Sequence, residues 1–368
     1  MNLQFNDVQQ QVRDSLSRLL ANAYDFAHRQ CHVASESGHA PEVWSKLAEL
    51  GVLGASIPET WEGFGGDAVD HMMVSEALGR HLSLEPYHGT VVMAATALAL
   101  AGSDGQKAQL LPRIARGAVQ VAWAHDEAVM GRVSVQASSG RDGWWLNGAK
   151  PGVLHGGSAD FMIVTARADG SDVAMFLVDG RANGVVRERY RLVDGTPAAD
   201  LRFDGAPAEP LGSGGEGGAG VLSRVLATGI SAACAEMVGA MQAATALTVE
   251  YLKTRKQFGK LIGANQALQH RAVDMLTALE QSRSLSLSLA LALAGRNDLA
   301  GGEMQVHAAK AYVGQAARQV AQEAIQMHGG IGMTEEYAVG HYLRRVLVLD
   351  RLHGDIQYHT RRLEGRQD

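Results

Sequence analysis

The sequence of 368 residues predicts a mostly helical α+β protein in which two helical regions enclose a β-rich module. Three observations predict this fold class. Apolar residues recur at helical spacing up to about residue 115, short β-favouring runs follow from residue 119, and helix-favouring residues return after Val221. We therefore expect, in chain order, an N-terminal helical domain at 1–117, a middle β domain at 118–210, a glycine-rich linker at 211–220 and a C-terminal helical domain at 221–368.

The N-terminal helical domain is predicted from its apolar periodicity. Leu16, Leu20 and Tyr24 fall at helical spacing, with charged and polar residues between them. A loop is expected at 57–67, because proline and clustered glycines stop helices. Helical patterning then continues over 71–111.

The middle β domain is predicted from three short runs, 144–148, 161–165 and 173–178, which are rich in β-branched and aromatic residues. Turn sequences such as Asn-Gly and Asp-Gly separate them. This pattern is typical of a small sheet or barrel with antiparallel strands.

The last two parts are predicted from composition. The segment 211–220 is so rich in glycine that we expect a mobile connection, and it lacks the Gly-Lys-Ser/Thr ending of a phosphate-binding loop. Over 285–293 leucine alternates with serine and alanine, which is the period of a strand. Because leucine and alanine are strong helix formers and β-branched residues are missing there, we expect a helix buried on more than one face.

The composition excludes several classes of protein. The net charge of −6 argues against a nucleic-acid-binding surface, and no run approaches 18 uninterrupted apolar residues, so we expect no membrane span. The first residues lack the features of a signal peptide. Two cysteines, Cys31 and Cys234, cannot build a disulfide framework or a four-ligand zinc site. We expect a cytoplasmic globular protein without a metal.

Two C-terminal segments carry more specific information. The first is 251–262, with the sequence YLKTRKQFGKLI, and the second is 326–337, with the sequence QMHGGIGMTEEY. Together they resemble the C-terminal signatures of the acyl-CoA dehydrogenase family, and the loop at 57–66 resembles its N-terminal signature. The resemblance covers essentially the whole chain. It implies an N-terminal helical domain, a middle β domain and a C-terminal four-helix bundle.

The resemblance also implies FAD as the cofactor. In the family these motifs bind the adenosine and diphosphate of a FAD whose flavin ring lies in the neighbouring subunit. The chemistry of the residues suits that role, because Arg255 can form charge-assisted bonds with a pyrophosphate, Phe258 offers an apolar face, and glycines let the backbone approach a ligand. The matching residues are Arg255, Gln257, Phe258, Gln266, Gln326, Gly329 and Gly330.

The catalytic base of the family has no counterpart here. In the family a glutamate removes the α-proton of an acyl-CoA, and at the usual position of that glutamate this chain carries His353. At the alternative position of the base it carries Ser223. The neighbouring Arg224 is retained, and the resemblance implies a place near the acyl-CoA nucleotide, although a solvated arginine would look the same.

The part of the family site that holds the flavin ring is altered too. The family has a hydroxyl-bearing residue at a segment that reads AWAHDE here, over 122–127, and this segment supplies no hydroxyl. Behind the ring the family has a Trp-x-Thr element, which is replaced by Gly152 and Leu154. A flavin ring would lose a stacking partner and a hydrogen bond.

Three functions remain open at this point. The first is the base-lacking subunit of a heterotetrameric acyl-CoA dehydrogenase, which would complete the FAD site of a catalytic partner subunit that carries the glutamate. Its substrate would be an acyl-CoA, of steroid type in related two-subunit enzymes, and an electron-transfer flavoprotein or similar acceptor would reoxidise it. The second is a homomeric flavoenzyme with His353 or Asp355 as the base. The third is a non-enzymatic acyl-CoA-binding or scaffold subunit. A metal site at His353, Asp355 and His359 is disfavoured by its spacing.

Overall fold

The N-terminal part of the chain is helical, as its periodicity predicts. The computed structural model describes residues 6–129, 131–141, 143–168, 172–212, 218–295 and 302–365. Polar side chains cap several of these helices, for example Asn6, whose side chain accepts from the backbone of Gln9 while the Gln9 side chain caps Asn6 in return. The helices are α1 (Asp7–Ala23), α2 (Phe26–Ala34), α3 (Pro41–Glu49), α4 (Ala68–Arg80), α5 (Thr96–Ala101) and α6 (Asp104–Ala115).

A π-helical segment, His88–Ala95, runs directly into α5. All of its residues are buried, and Thr90 exchanges hydrogen bonds with the backbone of Val121 at the start of the middle domain. Such segments are rare and are frequently found at functional sites. Here the segment places His88, its first residue, in the interior of the molecule.

The middle domain is a twisted sheet of mixed strands, and the expectation of purely antiparallel pairing is wrong. The strand β1 pairs in parallel with β4, and β4 pairs in parallel with β2. These pairings connect strands that are distant in the chain, so adjacent turn sequences do not reveal them. The strands are β1 (Val121–Ala124), β2 (Gln136–Gly140), β3 (Gly143–Leu154), β4 (Phe161–Ala168), β5 (Asp172–Asp179), β6 (Val185–Arg191) and β7 (Pro197–Pro210).

The C-terminal part packs four long helices against one another, with a short helix behind them. The leucine-rich run lies in the second of these, and the prediction of a helix is confirmed. Leu289, Ala290, Leu291 and Ala292 are all buried, so more than one face is covered. The helices are α7 (Gly218–Thr254), α8 (Gln266–Leu293), α9 (Gly302–His328), α10 (Val339–Arg351) and α11 (Ile356–Leu363).

The predicted linker at 211–220 is partly helical. Residues 213–217 lie outside the described residues, and α7 already begins at Gly218, so 218–220 are helical and the linker prediction is wrong there. The long α7 packs against α4, α8, α9 and α10 along its length, and this packing outweighs the low helix propensity of its first glycines.

Length and composition would let one helix of the described residues, Gly220–Thr254, cross a membrane. In its most apolar window, 72% of the residues are buried inside the protein. A mostly buried core helix has this composition for another reason, because it packs against helices on several sides.

A buried cluster of charges joins the three parts of the chain. Arg345 of α10 contacts Asp194, in the turn between β6 and β7, at 2.8 Å and Glu236 of α7 at 2.5 Å. Arg29 of α2 donates to the carbonyl oxygen of Asp194 at 2.5 Å. Burial alone would lower the pKa of Arg345, but Glu236 and Asp194 raise it above its ordinary value. The cluster fixes α10, which leads from one half of the candidate site to the other.

Candidate functional site

The first signature segment forms a small hairpin at the end of α7. Two short strands, β8 (Lys256–Gln257) and β9 (Lys260–Leu261), are joined by Phe258 and Gly259. Both turn residues have positive φ, 52° and 76°, as a two-residue hairpin turn requires. The Phe258 side chain at the tip is 100% exposed. A large apolar side chain in this strained and open position is prepared for contact with another molecule.

The second signature segment lies beside this hairpin. The helix α9 ends at His328, Gly329 turns the chain with φ 64°, and a short 3-10 helix follows at Gly329–Met333. The ring of His328 stacks on Tyr251, one turn before Arg255, with 4.5 Å between the ring centroids. The fold therefore brings the two motifs together at one end of the helical bundle.

The seven residues matched to the FAD motifs are exposed, and we call this set the clamp: Arg255, Gln257, Phe258, Gln266, Gln326, Gly329 and Gly330. Side chains added at Gly329 or Gly330 would meet nothing within 4 Å, so this face is open to a ligand. The set combines a cation, neutral donors, an aromatic face and free backbone. It fits the phosphate and adenosine end of a dinucleotide.

A large cavity lies on the other side of the bundle. Its volume is about 1210 Å³, and it separates the middle sheet from helices α7, α9, α10 and α11. Apolar residues such as Leu154, Ile230 and Val306 line its interior. Ser223 and Arg224, on the first turns of α7, also line it. The cavity is thus large enough for a substantial acyl group, with a cation on its wall.

His353 lies at the head of this cavity, and its Nδ1 is buried without a hydrogen-bond partner among the described residues. Its Nε2 is 3.0 Å from Nε2 of His88, and its Nδ1 is 3.6 Å from Oδ1 of Asp126. His359 donates from Nε2 to the His353 carbonyl oxygen at 3.2 Å. The side chain of His353 is only 3% exposed, and its φ of 59° is strained for a non-glycine residue.

The electrostatics around His353 keep His88 neutral and Asp126 charged. Burial, with His353 adding to it, lowers the pKa of His88 well below its ordinary value. Burial alone would raise the pKa of Asp126, but the neighbouring His353 more than offsets this and the pKa falls below its ordinary value. Asp126 is therefore a carboxylate at neutral pH and a weak base.

Asp355, the other candidate base, has a local structural role. Its Oδ1 accepts from the backbone of Tyr358 at 2.9 Å and caps α11, and its Oδ2 accepts from Arg351 at 2.8 Å. Both oxygens are therefore used. Among the described residues, no group of three or more histidine, cysteine or carboxylate side chains is placed to hold a metal ion.

Comparison with known families assigns most of the chain. The family description "Acyl-CoA dehydrogenase, N-terminal domain" matches residues 6–118, and "Acyl-CoA dehydrogenase, C-terminal domain" matches residues 216–366. The chain belongs to the acyl-CoA dehydrogenase family. The resemblance seen in the sequence is confirmed, and so are the mostly helical α+β fold and, from the family, FAD as the cofactor.

Individual acyl-CoA dehydrogenases resemble the chain over most of its length. An acyl-CoA dehydrogenase of Bacillus subtilis is 29% identical over 346 residues, which cover 87% of this chain and 89% of that protein. Acyl-CoA dehydrogenase FadE27 of Mycobacterium tuberculosis is 29% identical over 313 residues, which cover 82% of this chain and 81% of that protein.

Two solved structures of similar fold bear on the subunit question. The ChsE4–ChsE5 complex of Mycobacterium tuberculosis has a chain 26% identical to this one, with a TM-score of 0.90 and coverage of 99% of this chain and 98% of that one. A variant of the Tcur3481–Tcur3483 steroid ACAD has a chain 26% identical to this one, with a TM-score of 0.89. The match covers 97% of this chain and 96% of that one.

The wall that faces a flavin ring in other acyl-CoA dehydrogenases is rebuilt in this member. Gly152 lies at a bulge of β3 with φ 65° and donates its backbone N–H to Oδ1 of Asp200 at 2.8 Å. Tyr190 donates to the same oxygen at 2.7 Å. The space of the absent tryptophan is thus bounded by a tyrosine and a carboxylate, and Leu154 brings no hydroxyl. This wall fits a flavin ring less well than the clamp fits the phosphate and adenosine end of a dinucleotide.

Several residues at the head of the cavity were not identified from the sequence. His88 is one histidine within an apolar helical run and is 265 positions from its partner His353. Asp126 and Trp123 belong to the segment 122–127, where only the missing hydroxyl was apparent. A charged residue two positions after a buried strand was the one available signal for Asp126.

Proposed function

We propose that this chain is the base-lacking subunit of a heteromeric acyl-CoA dehydrogenase and supplies the clamp for the FAD of a partner subunit that carries the catalytic glutamate. One observation carries the proposal: the clamp is complete and exposed, while neither His353 nor Ser223, at the two family positions of the base, offers a free base to the cavity. Such an asymmetry is expected when the two halves of each cofactor site come from different subunits.

The clamp supports a role in cofactor binding rather than a purely structural one. Arg255 and Gln257 lie next to an apolar tip, Phe258, that is fully exposed and packs into no part of this chain's core. A scaffold subunit has no use for an exposed cation, a fully exposed aromatic ring and two open glycines at one place. A dinucleotide bound there would cover the apolar ring and pair with the guanidinium.

The cavity supports the absence of chemistry in this subunit. Nε2 of His353 lies 3.0 Å from Nε2 of His88, and Nδ1, although it has no hydrogen-bond partner among the described residues, is buried with almost no accessible surface. A general base needs a free lone pair within hydrogen-bond reach of the substrate proton. Ser223 at the alternative position lies on the cavity wall but is not basic.

In the proposed complex, FAD and the residues of this chain have different roles. Bound FAD would supply the hydride acceptor for the β-carbon of the acyl group, and the partner's carboxylate would be the base for the α-proton. The residues of this chain bind and orient: Arg255 neutralises phosphate charge, Phe258 covers the adenosine end, and Gly329 and Gly330 admit the phosphates to the backbone.

The substrate and the remaining partners extend the proposal. We infer a bulky acyl-CoA, of steroid type, because the Tcur3481–Tcur3483 relative of the same fold is described as a steroid ACAD and the cavity of this chain is large. An electron-transfer flavoprotein or a similar acceptor would reoxidise the flavin. The cytoplasm remains the predicted location.

A homomeric flavoenzyme is the second candidate. One observation favours it, the position of Asp126 beside His353, because a carboxylate next to a histidine orients the ring and stabilises its cation. The engagement of Nε2 with His88 argues against it.

Visible absorbance tests the proposal directly. The chain is purified alone and after co-expression with an adjacent acyl-CoA dehydrogenase gene. We expect a colourless, inactive protein alone and a yellow, active complex that contains both chains. A yellow chain that dehydrogenates acyl-CoA without a partner would contradict the heteromeric assignment.

A further inference from the structure

Two histidines from packed helices form a pair at the wall of the large cavity. Nδ1 of His307, in α9, lies 2.7 Å from Nδ1 of His359, in α11. Both residues line the cavity. His359 is fully buried, whereas the side chain of His307 is 12% exposed. Neither ring has a role in the proposed function.

The hydrogen bonds of the pair determine which ring nitrogens carry hydrogen. The carbonyl oxygen of His353 can only accept, so Nε2 of His359, 3.2 Å away, is the donor. Burial lowers the pKa of His359 to about 3, so its ring is neutral and its Nδ1 carries no hydrogen. Nδ1 of His307 must therefore donate to it. Burial also lowers the pKa of His307, and its neutral ring then has a lone pair on Nε2.

This lone pair is open to a ligand. Nε2 of His307 makes no hydrogen bond with the described residues, and it is not closed off like the buried, unpartnered Nδ1 of His353. The neighbouring Oε1 of Glu303 is 3.8 Å away, beyond hydrogen-bond distance, and belongs to a side chain that is 86% exposed. His307 thus offers the cavity a hydrogen-bond acceptor whose tautomer is fixed by His359.

The polarity of this nitrogen selects the group that it can bind. A lone pair accepts only from a donor, which excludes carbonyl, ether and phosphate oxygens. The carboxylate of Glu303 would also repel an anion. Val306 and Ile230 give the cavity apolar walls, where an ammonium group would lose its hydration, whereas a hydroxyl group costs less to bury. The group that fits is the hydroxyl of an otherwise apolar molecule.

We propose that the cavity of this chain binds a bulky apolar alcohol, whose hydroxyl group donates to Nε2 of His307. His307 is then a specificity-determining residue, and His359 is a positioning residue that fixes its tautomer. The cavity volume of about 1210 Å³ leaves room for a ring system or a branched chain beside the hydroxyl group. The inference goes beyond the proposed function, because it requires neither a flavin nor a partner subunit.

His125 has the opposite polarity and provides a matched control. It also lines the cavity, and its Nδ1 lies 3.1 Å from the hydroxyl oxygen of Thr165. That oxygen accepts from Nζ of Lys150 at 3.0 Å, which leaves the hydroxyl hydrogen for Nδ1 of His125. Burial lowers the pKa of His125 to about 4, so the ring is neutral and carries its own hydrogen on Nε2. A donor at this place cannot distinguish an alcohol from an ether, since both have an acceptor oxygen.

Two probes that differ at the hydroxyl group test the contact. The full chain, as isolated, is titrated calorimetrically with adamantanol and with its methyl ether, whose oxygen lacks the hydrogen. We expect the wild type to prefer the alcohol by about fivefold, the contribution of one hydrogen bond. His307→Phe should remove this preference without weakening the binding of the ether, and His125→Phe should leave the preference intact.

Two further measurements keep the test decisive. If His307→Phe does not fold, His307→Asn keeps an N–H donor for His359, has no atom at the position of Nε2, and should also abolish the preference. Nitrogen NMR of the wild type should show hydrogen on Nδ1 of His307 and none on Nε2. The Nε2 resonance should move on addition of the alcohol and stay in place with the ether.

Other outcomes would overturn the alcohol site. Equal wild-type affinity for the two probes, or binding of neither, would mean that Nε2 of His307 contacts water only. Equal weakening of both probes by His307→Phe would indicate a packing role for the ring, and hydrogen on Nε2 would contradict the tautomer. These outcomes are independent of the flavin measurement, since a chain that is yellow and active alone contradicts the proposed subunit role whatever its preference between the two probes.

Discussion

The two ends of α10 show opposite properties. Before it lies the clamp, whose side chains are exposed and make few contacts within the chain; after it lies His353, which is buried between His88 and Asp126. An exposed set of ligand-binding groups is an unfinished site, whereas the side chains at the head of the cavity are buried against one another. The comparison supports the proposal that this chain contributes to the cofactor site of another subunit rather than to chemistry in its own cavity.

The largest expected effect is a loss of stability on substitution of Arg345 in α10, the helix that lies between the clamp and His353. Arg345→Met would leave Asp194 and Glu236 as buried, unpaired carboxylates, so we expect a loss of about 3–5 kcal/mol in the free energy of unfolding. Urea denaturation measures it. The adjacent and more exposed Arg344, which pairs with Glu335, is the control, and Arg344→Met should cost less than about 1 kcal/mol. Similar losses for both variants would mean that α10 does not depend on its buried cluster.

The clamp is tested by its cation. Arg255→Ala should weaken FAD retention in the complex by about 10- to 100-fold, the range of one charge-assisted hydrogen bond to a phosphate. The flavin content after gel filtration reports it. Lys253→Ala removes a neighbouring exposed cation that pairs with Glu250 and should leave the flavin content unchanged. Full flavin content in Arg255→Ala would remove this residue from the clamp.

The burial of His88 predicts that the free energy of unfolding depends on pH. The pKa of His88 lies well below its ordinary value in the folded chain, so only the unfolded chain takes up this proton as the pH falls through about 6.5. The contribution of neutral His88 to the free energy of unfolding is therefore present above this pH. Below it the free energy of unfolding falls by about 1.4 kcal/mol per pH unit for one proton.

The variant His88→Gln should lower that slope between pH 6 and pH 5 by about one proton, as measured by urea denaturation at several pH values. His28→Gln changes an exposed histidine beside Asp25 and serves as the control, and its slope should change less than that of His88→Gln. An unaltered slope in His88→Gln would show that other groups dominate the acid sensitivity.

The smallest effect is expected at His353. His353→Ala should leave the turnover of the complex within about twofold of the wild type, because in the proposed heteromer the reacting carbon would lie against the partner's carboxylate. A catalytic base would instead cost a factor of about 10²–10⁴. His353→Glu should not create activity in this chain, since Gly152 and Leu154 leave a flavin ring without support. A hundredfold loss in His353→Ala, with flavin content and assembly intact, would favour the homomeric enzyme.

The helices could be predicted from the sequence because their information is local, and the clamp stays a prediction drawn from an equally local motif. Arg255, Gln257 and Phe258 lie within a few positions of one another, and the leucine-rich run revealed its helix through composition alone. The parallel pairing of β1 with β4 joins distant residues, as at Val121 and Phe161, and no local pattern encodes it. The partnership of His88 with His353 was equally out of reach, because it depends on how a π-helical segment packs against the end of α10.

The hairpin tip also has a consequence for protein quality control. A chain made in excess of its partner would display the bare ring of Phe258 to the cell, together with exposed Ile331 and Met333 nearby in the second motif. Chaperones and proteases recognise such surfaces on orphan subunits. In the proposed heteromer the lifetime of this protein should therefore depend on the supply of its partner, so that balanced synthesis of the two chains, rather than the intrinsic stability of either, would set how much enzyme accumulates.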